Sequence, residues 1–459
     1  MSDIRESLSE SLLEKMQELL CDLLGASASS EGDLAMVESA LNVALDKARH
    51  LMVASALRVA EDALDHAWSC RACGRALTGW SSAQRTVVTA FGEGSVRVRR
   101  YRCRTCGTDA RPFLILNGLE KTIYTVGARQ VIAEEASQTS FGGSSARLQR
   151  LGICISAAEV ERVADEVSEW RTQEEEAVRS FALLDGRDLP LALHDPRPWQ
   201  RCPADAAMIV SVDGAMVRSN KPDASGALQW FEARAGVISL NTPDAPKACV
   251  AGVMEPDRLF ETLWSQSRQL QQERHKRKIV FVSDGANWIW DRVRQWFSGA
   301  VEVLDIYHAA EHVAGAAKAI WGEGHPNSKL WAQTALGRLQ EKRGLRTLLA
   351  IFLEALRQGS LLDEAALKTE LRYLVKNRHR MRYALLRAQG LPIGSGMMES
   401  VIKQTATRRL RQSGMMWTKP GAANMLRLRA AVVSGSLELT MQRQHQICRN
   451  RCNEYKKAV

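Results

Sequence analysis

The sequence of 459 residues has no long apolar run, and this absence argues against one class of protein. A membrane-spanning helix needs about 18 or more consecutive apolar residues, and the chain contains no such stretch. The first residues, MSDIRESLSESLLEK, also lack the basic start and apolar core of a secretory signal. We therefore expect a cytoplasmic protein without a membrane segment. In that compartment the ten cysteines favour metal binding or buried thiols over disulfides.

Acidic residues are scarce at the end of the chain. Residues 400–459 contain 12 Lys and Arg but 2 Asp and Glu, a balance of +10 that equals the net charge of the whole chain. A basic end on a neutral body indicates a polyanion-binding surface, nucleic acid above all. A solvated, partly disordered tail would show the same charge, so both interpretations stay open. We predict a basic C-terminal tail over residues 436–459.

Four cysteines form two C-x-x-C-G knuckles. They are Cys70 and Cys73 in CRACG, then Cys103 and Cys106 in CRTCG. Each knuckle can place two thiolates on one tetrahedral zinc ion. Between them lie the β-rich segments TVVTAF and SVRVRRY, joined by GEG. A hairpin between two such knuckles predicts a zinc ribbon with one structural zinc. The arginines on the outer face of the hairpin favour DNA contact, although a solvated strand face explains them nearly as well.

Helical patterns flank the ribbon on both sides. Residues 1–66 carry apolar residues at helical spacing, interrupted at GASASSEG, and predict a helical pair suited to self-association. Residues 127–180 predict two helices with a break at Leu151–Ile153, the second capped by Ser156 with Glu159 at the capping-box position. This arrangement is typical of a helix-turn-helix. Two packed helices without a DNA role remain the alternative.

After residue 205 the sequence alternates between strand and helix patterns, and three strands end at or near an Asp. VSVDGAMV, VFVSDGANW and VEVLDIYH contain Asp213, Asp284 and Asp305. The predicted order is β-β-β-α-β-α-β, followed by a helical stretch over about 309–389 and by Glu399 at the start of a helix. In open α/β sheets, sites form outside the carboxyl ends of the strands.

Carboxylates gathered at one edge of a sheet need cations between them, because they are ionised at neutral pH and repel one another. Hard oxygen ligands select Mg²⁺ or Mn²⁺. Two such ions, about 3.5–4 Å apart, can hold the attacking and leaving oxygens of a phosphoryl transfer. The pattern therefore predicts a two-metal site.

The element order resembles the ribonuclease H-like fold. The residues VDGA, SDGANWI, DIYH and PIGSGMMES resemble those of insertion-sequence DDE transposases, most closely the ISKra type, with kinship to the Mutator-like group. The resemblance covers most of the chain, because that type also carries an N-terminal zinc ribbon. It implies a metal-dependent enzyme that cleaves DNA at the ends of a mobile element and transfers the strands into target DNA.

The resemblance also implies roles for particular residues. Asp213, Asp284 and Glu399 would be the catalytic residues and would hold two Mg²⁺ (or Mn²⁺) ions, since the first and fourth strands of that fold are neighbours. Asp305 and His308 match the Asp-x-x-His element of Mutator-like enzymes and would be a supporting pair. A rival assignment exchanges Asp284 and Asp305.

Basic residues follow Glu399 and are candidates for DNA binding. Lys403, Arg408, Arg409 and Arg411 could hold the phosphates of the cleaved DNA end. Trp417 could stack on a base of an opened end, although core packing also explains a tryptophan at this place.

Residues 308–312, HAAEH, match the H-x-x-E-H signature of one class of zinc proteases. The histidines are four residues apart and share a helix face. A protease would also need a third ligand and a peptide cleft, and here the motif instead follows a strand that ends in an Asp. We therefore assign His312 a structural or DNA-facing role.

Together these patterns predict a multidomain protein with an α/β ribonuclease H-like catalytic domain. The predicted regions are a helical N-terminus (1–66), a zinc ribbon (67–118), a helix-turn-helix-like region (119–185), the catalytic domain (205–435, with a helical insertion at about 309–389) and the basic tail (436–459). The predicted function is a DDE transposase that binds double-stranded DNA, associates with the nucleoid and acts as a homodimer or larger assembly. The alternatives are a non-catalytic DNA-binding regulator derived from a transposase and a metal-dependent, structure-specific nuclease.

Overall fold

The structure is a computed structural model of the chain. It describes residues 2–30, 32–64, 67–185, 202–203, 205–222, 226–243, 245–270, 277–358 and 362–456. The chain divides into two compact units, Met1–Trp170 with Leu437–Val459, and Arg171–Ser436. No helix in the described part is both long enough and apolar enough to cross a membrane.

The first unit begins with a helical hairpin, as predicted. Helix α1 spans Ser2–Ala28 and α2 spans Leu34–Asp62, and the two pack against each other. Helix α1 continues through Gly25–Ala28, so the break is shorter than GASASSEG suggested. Asp33 then caps α2, because its carboxylate accepts the N–H of Ala35 at 2.9 Å.

A three-stranded antiparallel sheet follows, built from β1 (Thr78–Thr89), β2 (Gly92–Arg102) and β3 (Asp109–Ala110). The predicted turn at GEG is wrong, because the chain reverses at Ala90 and Phe91 and GEG begins β2. The glycines there serve packing as well: a Cβ on Gly94 would lie 2.9 Å from a methyl group of Val53 in α2. Close approach of α2 to β2 thus accounts for a glycine inside the strand.

Further helices complete the N-terminal part of this unit. They are α3 (Pro112–Leu116), α4 (Val126–Gln138), α5 (Phe141–Arg150) and α6 (Ala157–Asp185), of which α6 continues into the second unit. The predicted break lies between α5 and α6. The hydroxyl of Ser156 accepts the N–H of Glu159 at 3.2 Å, which confirms the predicted cap.

The prediction of a C-terminal tail is wrong for the residues that the structure describes. Helix α17 spans Leu437–Asn453 and packs against α3 and α4 within the first unit. Leu437, Met441 and Cys448 are buried, and Cys452 and Tyr455 join Trp68 in the core of the ribbon. The backbone N–H of Ser69 donates to the carbonyl of Tyr455 at 2.6 Å. Residues 457–459 of the predicted tail lie outside the described residues.

The second unit is built on a mixed five-stranded sheet. Its strands are β4 (Met208–Arg218), β5 (Trp230–Leu240), β6 (Ala248–Gly252), β7 (Ile279–Ser283) and β8 (Val301–Leu304). The order across the sheet is β6-β5-β4-β7-β8. Strand β5 runs antiparallel to β4 and β6, whereas β4, β7 and β8 are parallel. The element order predicted from the sequence is therefore confirmed.

Helices cover both faces of this sheet. Helices α7 (Pro256–Leu270) and α8 (Asn287–Trp296) pack with Met208, Val210 and Val212 on one face. The sequence pattern predicts helix α7 over residues 256–274, of which residues 271–274 lie outside the described residues. The opposite face carries Ile209 and packs against the predicted helical stretch. That stretch contains α9 (Ile306–Trp321), α10 (Pro326–Leu339), α11 (Gly344–Gln358), α12 (Glu364–Lys376), a 3₁₀ turn (Arg378–Arg380) and α13 (Tyr383–Ala388).

The last part of the second unit is an interrupted helix. Helix α14 (Gly396–Ile402) leads into a π-helical segment (Lys403–Thr407) and then α15 (Arg408–Leu410). Helix α16 (Lys419–Ser434) follows and packs on β6. Helix α14 packs on β4 and β5, so the segment that carries Glu399 lies across the strand that carries Asp213.

Candidate functional site

The four predicted zinc ligands lie together in the first unit. The Sγ atoms of Cys70 and Cys106 are 3.4 Å apart, those of Cys73 and Cys103 are 3.5 Å apart, and all four lie within 4.8 Å of one another. Tetrahedral zinc with Zn–S bonds of about 2.3 Å separates its sulfurs by roughly 3.8 Å. The donor set and its spacing therefore fit one structural zinc ion.

The backbone of each knuckle is shaped for this purpose. Gly74 and Gly107 have φ angles of 71° and 74°, in the left-handed region that favours glycine. Their N–H groups donate to the carbonyls of Cys70 and Cys103. The N–H of Arg75 favours the Cys73 thiolate, but the neighbouring thiols Cys103 and Cys106 outweigh it and raise the pKa of Cys73 to about 12. Four thiols this close need a cation before all of them ionise.

The second candidate site lies at the carboxyl ends of the parallel strands of the second unit. Asp213 is on β4, which continues beyond it to Arg218 instead of ending near it as predicted. One carboxylate oxygen of Asp213 accepts the N–H of Gly214 at 2.7 Å. Burial raises the pKa of Asp213, the Gly214 hydrogen bond opposes this, and the charges of Asp284 and Asp305 raise it further.

Asp284 follows directly after β7, the neighbour of β4. The hydroxyl of Ser283 donates to the carbonyl of Val212 at 2.8 Å, which ties the end of β7 to the residue before Asp213. One oxygen of Asp284 accepts the N–H of Ala286 at 2.9 Å, which fixes the turn into α8. Asp213 on β4 and Asp284 just after the adjacent β7 are therefore close enough for the charge of Asp284 to raise the pKa of Asp213.

Asp305 is the N-cap of α9 and is 2% exposed. One of its oxygens accepts the N–H of Tyr307 at 2.9 Å, and the other accepts the hydroxyl of Ser395. The N–H of Ile306 also donates to the carbonyl of Ile393 at 2.9 Å. Both oxygens of Asp305 are therefore engaged in holding α9 and the loop that leads to Glu399.

The histidines of HAAEH are each directed at a carboxylate. His308 Nδ1 is 3.3 Å from a carboxylate oxygen of Glu311, and His312 Nδ1 pairs with Glu370 of α12. His312 also stacks on Tyr373, with ring centroids 3.4 Å apart. Within the described ranges, the four cysteines are the only group of three or more His, Cys, Asp or Glu whose ligand atoms lie that close together. This geometry does not support a zinc protease.

Glu399 lies apart from the aspartates in its present side-chain position. Its side chain is 62% exposed and pairs with Lys403 Nζ at 2.7 Å. This hydrogen bond and the charge of Lys403 lower the pKa of Glu399. Within the described ranges, the carboxylate oxygens of Glu399, Asp213 and Asp284 do not all lie within 4.8 Å of one another. The structure thus gathers Asp213, Asp284, Asp305 and His308, and leaves Glu399 on the adjoining helix with its side chain toward solvent.

The structure corrects part of the predicted DNA-binding set. Arg409 is 1% exposed, lies over the Trp417 ring at 4.9 Å and contacts Met415. Trp417 is also buried, and its indole N–H donates to the carbonyl of Leu410 at 3.2 Å. Arg409 and Trp417 therefore pack inside the unit, where they cannot reach DNA. The exposed Lys403, Arg408 and Arg411 remain the candidates for phosphate contact.

Three residues that sequence reasoning missed hold the site in place. Tyr373 lies against Gly285, beside Asp284, so closely that a Cβ on Gly285 would overlap its hydroxyl. Burial, followed by the charge of Asp284, raises the pKa of Tyr373 to about 12. Ser395 bonds Asp305, and the buried guanidinium of Arg429 donates to the carbonyl of Gln404 in the π segment, 2.8 Å from Nε. Ser395 lies within the PIGSGMMES segment, whereas Tyr373 and Arg429 belong to none of the motifs.

Comparison with known proteins gives little beyond this geometry. The profile of the uncharacterised protein family UPF0236 matches residues 262–446, less than half of the chain. No curated protein matches. Among solved structures, a Drosophila P element transposase strand transfer complex matches at 12% identity and a TM-score of 0.27, covering 74% of this chain and 84% of that one. At this TM-score the likeness supports no conclusion about fold or activity.

The raised pKa of Asp213 predicts a measurable effect on stability. Between the ordinary pKa of an aspartate and the raised one, the folded state binds more protons than the unfolded state, so stability falls as pH rises through this range. Above the range the cost is fully present. In EDTA at pH 7, we therefore expect Asp213→Asn to raise the melting temperature, because the amide carries no charge to bury beside Asp284 and Asp305.

A matched variant and a second pH separate this effect from others. Asp291→Asn removes an exposed carboxylate in the same unit, paired with Arg294, and is expected to change stability by less than about 0.5 kcal/mol. At pH 3 the advantage of Asp213→Asn should vanish, because the wild-type carboxyl is then protonated. A lower melting temperature for Asp213→Asn than for the wild type at pH 7 would contradict the destabilising effect of the buried Asp213 charge.

Proposed function

We propose that the chain is a DDE-type DNA transposase with a ribonuclease H-like catalytic domain, as its resemblance to ISKra-type enzymes implies. The observation that carries the proposal is the position of Asp213 and Asp284. Asp213 lies on β4 and Asp284 directly follows β7, the strand beside β4. The charge of Asp284 adds to the burial that raises the pKa of Asp213, so a cation between the two carboxylates is favoured. The strand order and the helix α14 lying across β4 and β5 also agree with it.

In this proposal Asp213, Asp284 and Glu399 would hold two Mg²⁺ or Mn²⁺ ions, which would supply activation of water and stabilisation of the charge that develops on the phosphate. Carboxylate oxygens are the donors that these ions prefer, so the residues present fit the group. Glu399 joins by turning from Lys403 toward the sheet. Its ionised state suits this role, because Lys403 already lowers its pKa.

The reaction has two phosphoryl-transfer steps. In the first, a water oxygen attacks a phosphodiester at the element's end, the P–O bond to the 3′ oxygen breaks, and a 3′-OH is released. In the second, that 3′-OH attacks a phosphodiester of target DNA, which joins the strands and releases a target 3′-OH. Lys403, Arg408 and Arg411 are proposed to bind the backbone phosphates. The helix-turn-helix-like region and the ribbon are proposed to bind the element's ends in a homodimer or larger assembly.

A strand-cleavage assay tests the proposal. The substrate is a labelled duplex that carries the DNA flanking the coding sequence, with Mg²⁺, Mn²⁺, Ca²⁺ or EDTA. We expect a nick that needs Mg²⁺ or Mn²⁺, followed by joined products when a second duplex is supplied. Cleavage without joining would favour the structure-specific nuclease. Tight binding without cleavage in any metal would contradict catalysis.

The second candidate function is a DNA-binding regulator, and one observation favours it. Glu399 is paired with Lys403 rather than directed at the aspartates. A protein that only binds DNA, through the ribbon and the basic surfaces, would not need Asp213, Asp284 and Glu399 to come together. The same assay decides between the two functions, because a regulator binds the duplex and leaves it intact with every metal.

A further inference from the structure

The cations of the zinc ribbon are all of one kind. Residues 67–111 contain nine arginines and no lysine, against the two acidic residues Glu93 and Asp109. The planar guanidinium group donates two parallel hydrogen bonds to a phosphate, which a lysine ammonium cannot do. A place where several of these arginines converge is therefore well suited to bind a phosphate.

One such place is a cavity of about 310 Å³ within the first unit. Four guanidinium groups line it: Arg71 of the first knuckle, Arg100 of β2, Arg111 before α3, and Arg451 of α17. The two carboxylates in its wall are Asp109 and Glu120. The cavity thus carries a balance of +2, on elements from both ends of the chain.

Two of the arginines are fixed by these carboxylates. Arg100 pairs with Asp109, and Arg451 Nη2 lies 2.8 Å from Glu120. The hydrogen bond from Arg100 lowers the pKa of Asp109, and the charges of Arg102 and Arg111 add to it. The Nε of Arg100 is buried and has no hydrogen-bond acceptor in the described part of the chain. A buried donor of this kind is costly unless an acceptor is supplied.

Neither of the other two arginines forms a salt bridge within the described part of the chain, although the charge of Arg111 acts on Asp109. Arg71 lies over the ring of Tyr455, 5.6 Å from its centroid, and the side chain of Arg111 makes no hydrogen bond or ion pair there. Tyr455 is a firm support, since it is 5% exposed and its carbonyl accepts the N–H of Ser69. Arg71 and Arg111 therefore keep guanidinium donors available for a ligand in a cavity whose charges sum to +2.

We propose that this cavity binds a phosphate of a nucleic-acid backbone, with Arg71 and Arg111 as its direct ligands and Arg100 as a further donor. A backbone is favoured over a free phosphate, because the exposed Arg75 and Arg104 on the same two knuckles can follow the neighbouring phosphates. The inference deepens the DNA-binding part of the proposed function. It requires nothing of the carboxylate site in the second unit.

Binding of the full-length, zinc-loaded protein to a labelled 30-base-pair duplex tests the proposal. The variants are Arg71→Ala, Arg111→Ala and Arg111→Lys, and the matched control is Arg85→Ala, an exposed arginine of β1 outside the cavity. We expect roughly tenfold weaker binding for each alanine variant in the cavity, because charge-assisted hydrogen bonds to the phosphate are removed. The slope of log affinity against log salt should fall by about 0.9 for each phosphate that the variant no longer neutralises. Arg111→Lys should recover only part of the affinity.

The outcomes separate the cavity from a diffuse charge effect. If Arg85→Ala weakens binding as much as Arg111→Ala, or if both cavity variants bind like the wild type, the proposal is wrong. The proposal would be supported if millimolar inorganic phosphate displaced the duplex from the wild-type protein but not from Arg111→Ala. Each variant must match the wild type in zinc content and melting temperature. Arg111 lies outside the knuckles, so Arg111→Ala tests the cavity without disturbing the zinc ligands. Duplex binding does not depend on cleavage, so failure here leaves the proposed catalysis untouched.

Discussion

Replacing Asp284 by Asn is expected to reduce Mg²⁺-dependent cleavage by roughly 10³-fold or more, which corresponds to about 4 kcal/mol of barrier. Asp284 follows β7, beside Asp213, and its carboxylate makes one hydrogen bond to the backbone. It therefore retains oxygen lone pairs for a metal ion. An amide of the same shape keeps the acceptor for Ala286 but brings no charge to the metal.

Asp305→Asn is the informative companion variant. Both oxygens of Asp305 accept hydrogen bonds, from Tyr307 and from Ser395. An asparagine can satisfy one of them, and its NH₂ group would then face the other donor unless Ser395 turns. We expect cleavage to fall by roughly tenfold to a hundredfold, mainly because the loop that leads to Glu399 is held less firmly. This geometry favours Asp284 over Asp305 as the second metal ligand.

Ser395→Ala provides the control for that explanation. It removes the partner of Asp305 without touching any acid, so it should reproduce the partial loss of Asp305→Asn. The measurement is single-turnover nicking of the element-end duplex over a range of Mg²⁺ concentrations, beside duplex binding in EDTA. If Asp305→Asn abolished nicking while Asp284→Asn weakened it slightly, the rival assignment would be correct.

The sheet of the second unit was predictable because local pattern and tertiary fold agree there. Short apolar runs that contain Asp213 or lead directly to Asp284 and Asp305 give the order of the elements along the chain. The end of the chain was predicted wrongly because charge was weighed above periodicity. Leu437, Met441, Cys448 and Cys452 are spaced at helical intervals, and all four are buried in α17. That signal was present in the sequence.

Other parts could not have been predicted from a single sequence. Arg409 is buried because Trp417 and Met415 enclose it, and a sequence does not show which cations will find such partners. Tyr373 reaches Gly285 from a distant helix, and Ser395 reaches Asp305 across 90 residues. The side-chain direction of Glu399 is likewise a tertiary result, since Lys403 one turn later competes for it.

Loss of the zinc ion is expected to unfold the ribbon of the first unit. The core around the knuckles is small, with Trp68, Leu77, Ile115 and Tyr455 beside the cysteines themselves. Structural zinc contributes about 10–16 kcal/mol of binding free energy, comparable to or greater than the ~5–15 kcal/mol that stabilises a typical domain. Without the ion the four thiols lose their common partner, and such a core is too small to compensate.

Cys103→Ser tests this expectation most directly, because Cys103 is a buried member of the cluster, and Cys154→Ser, at an exposed cysteine outside it, is the matched control. We expect Cys103→Ser to lose its zinc, to expose sites for limited proteolysis within the ribbon, and to free α17, whose Cys452 and Tyr455 pack on that core. Cys154→Ser should keep one zinc per chain. Metal analysis and proteolysis of both full-length variants check this. A zinc-free Cys103→Ser protein with wild-type resistance to proteolysis would show that packing alone holds the ribbon, and that α17 rather than the metal is its main support.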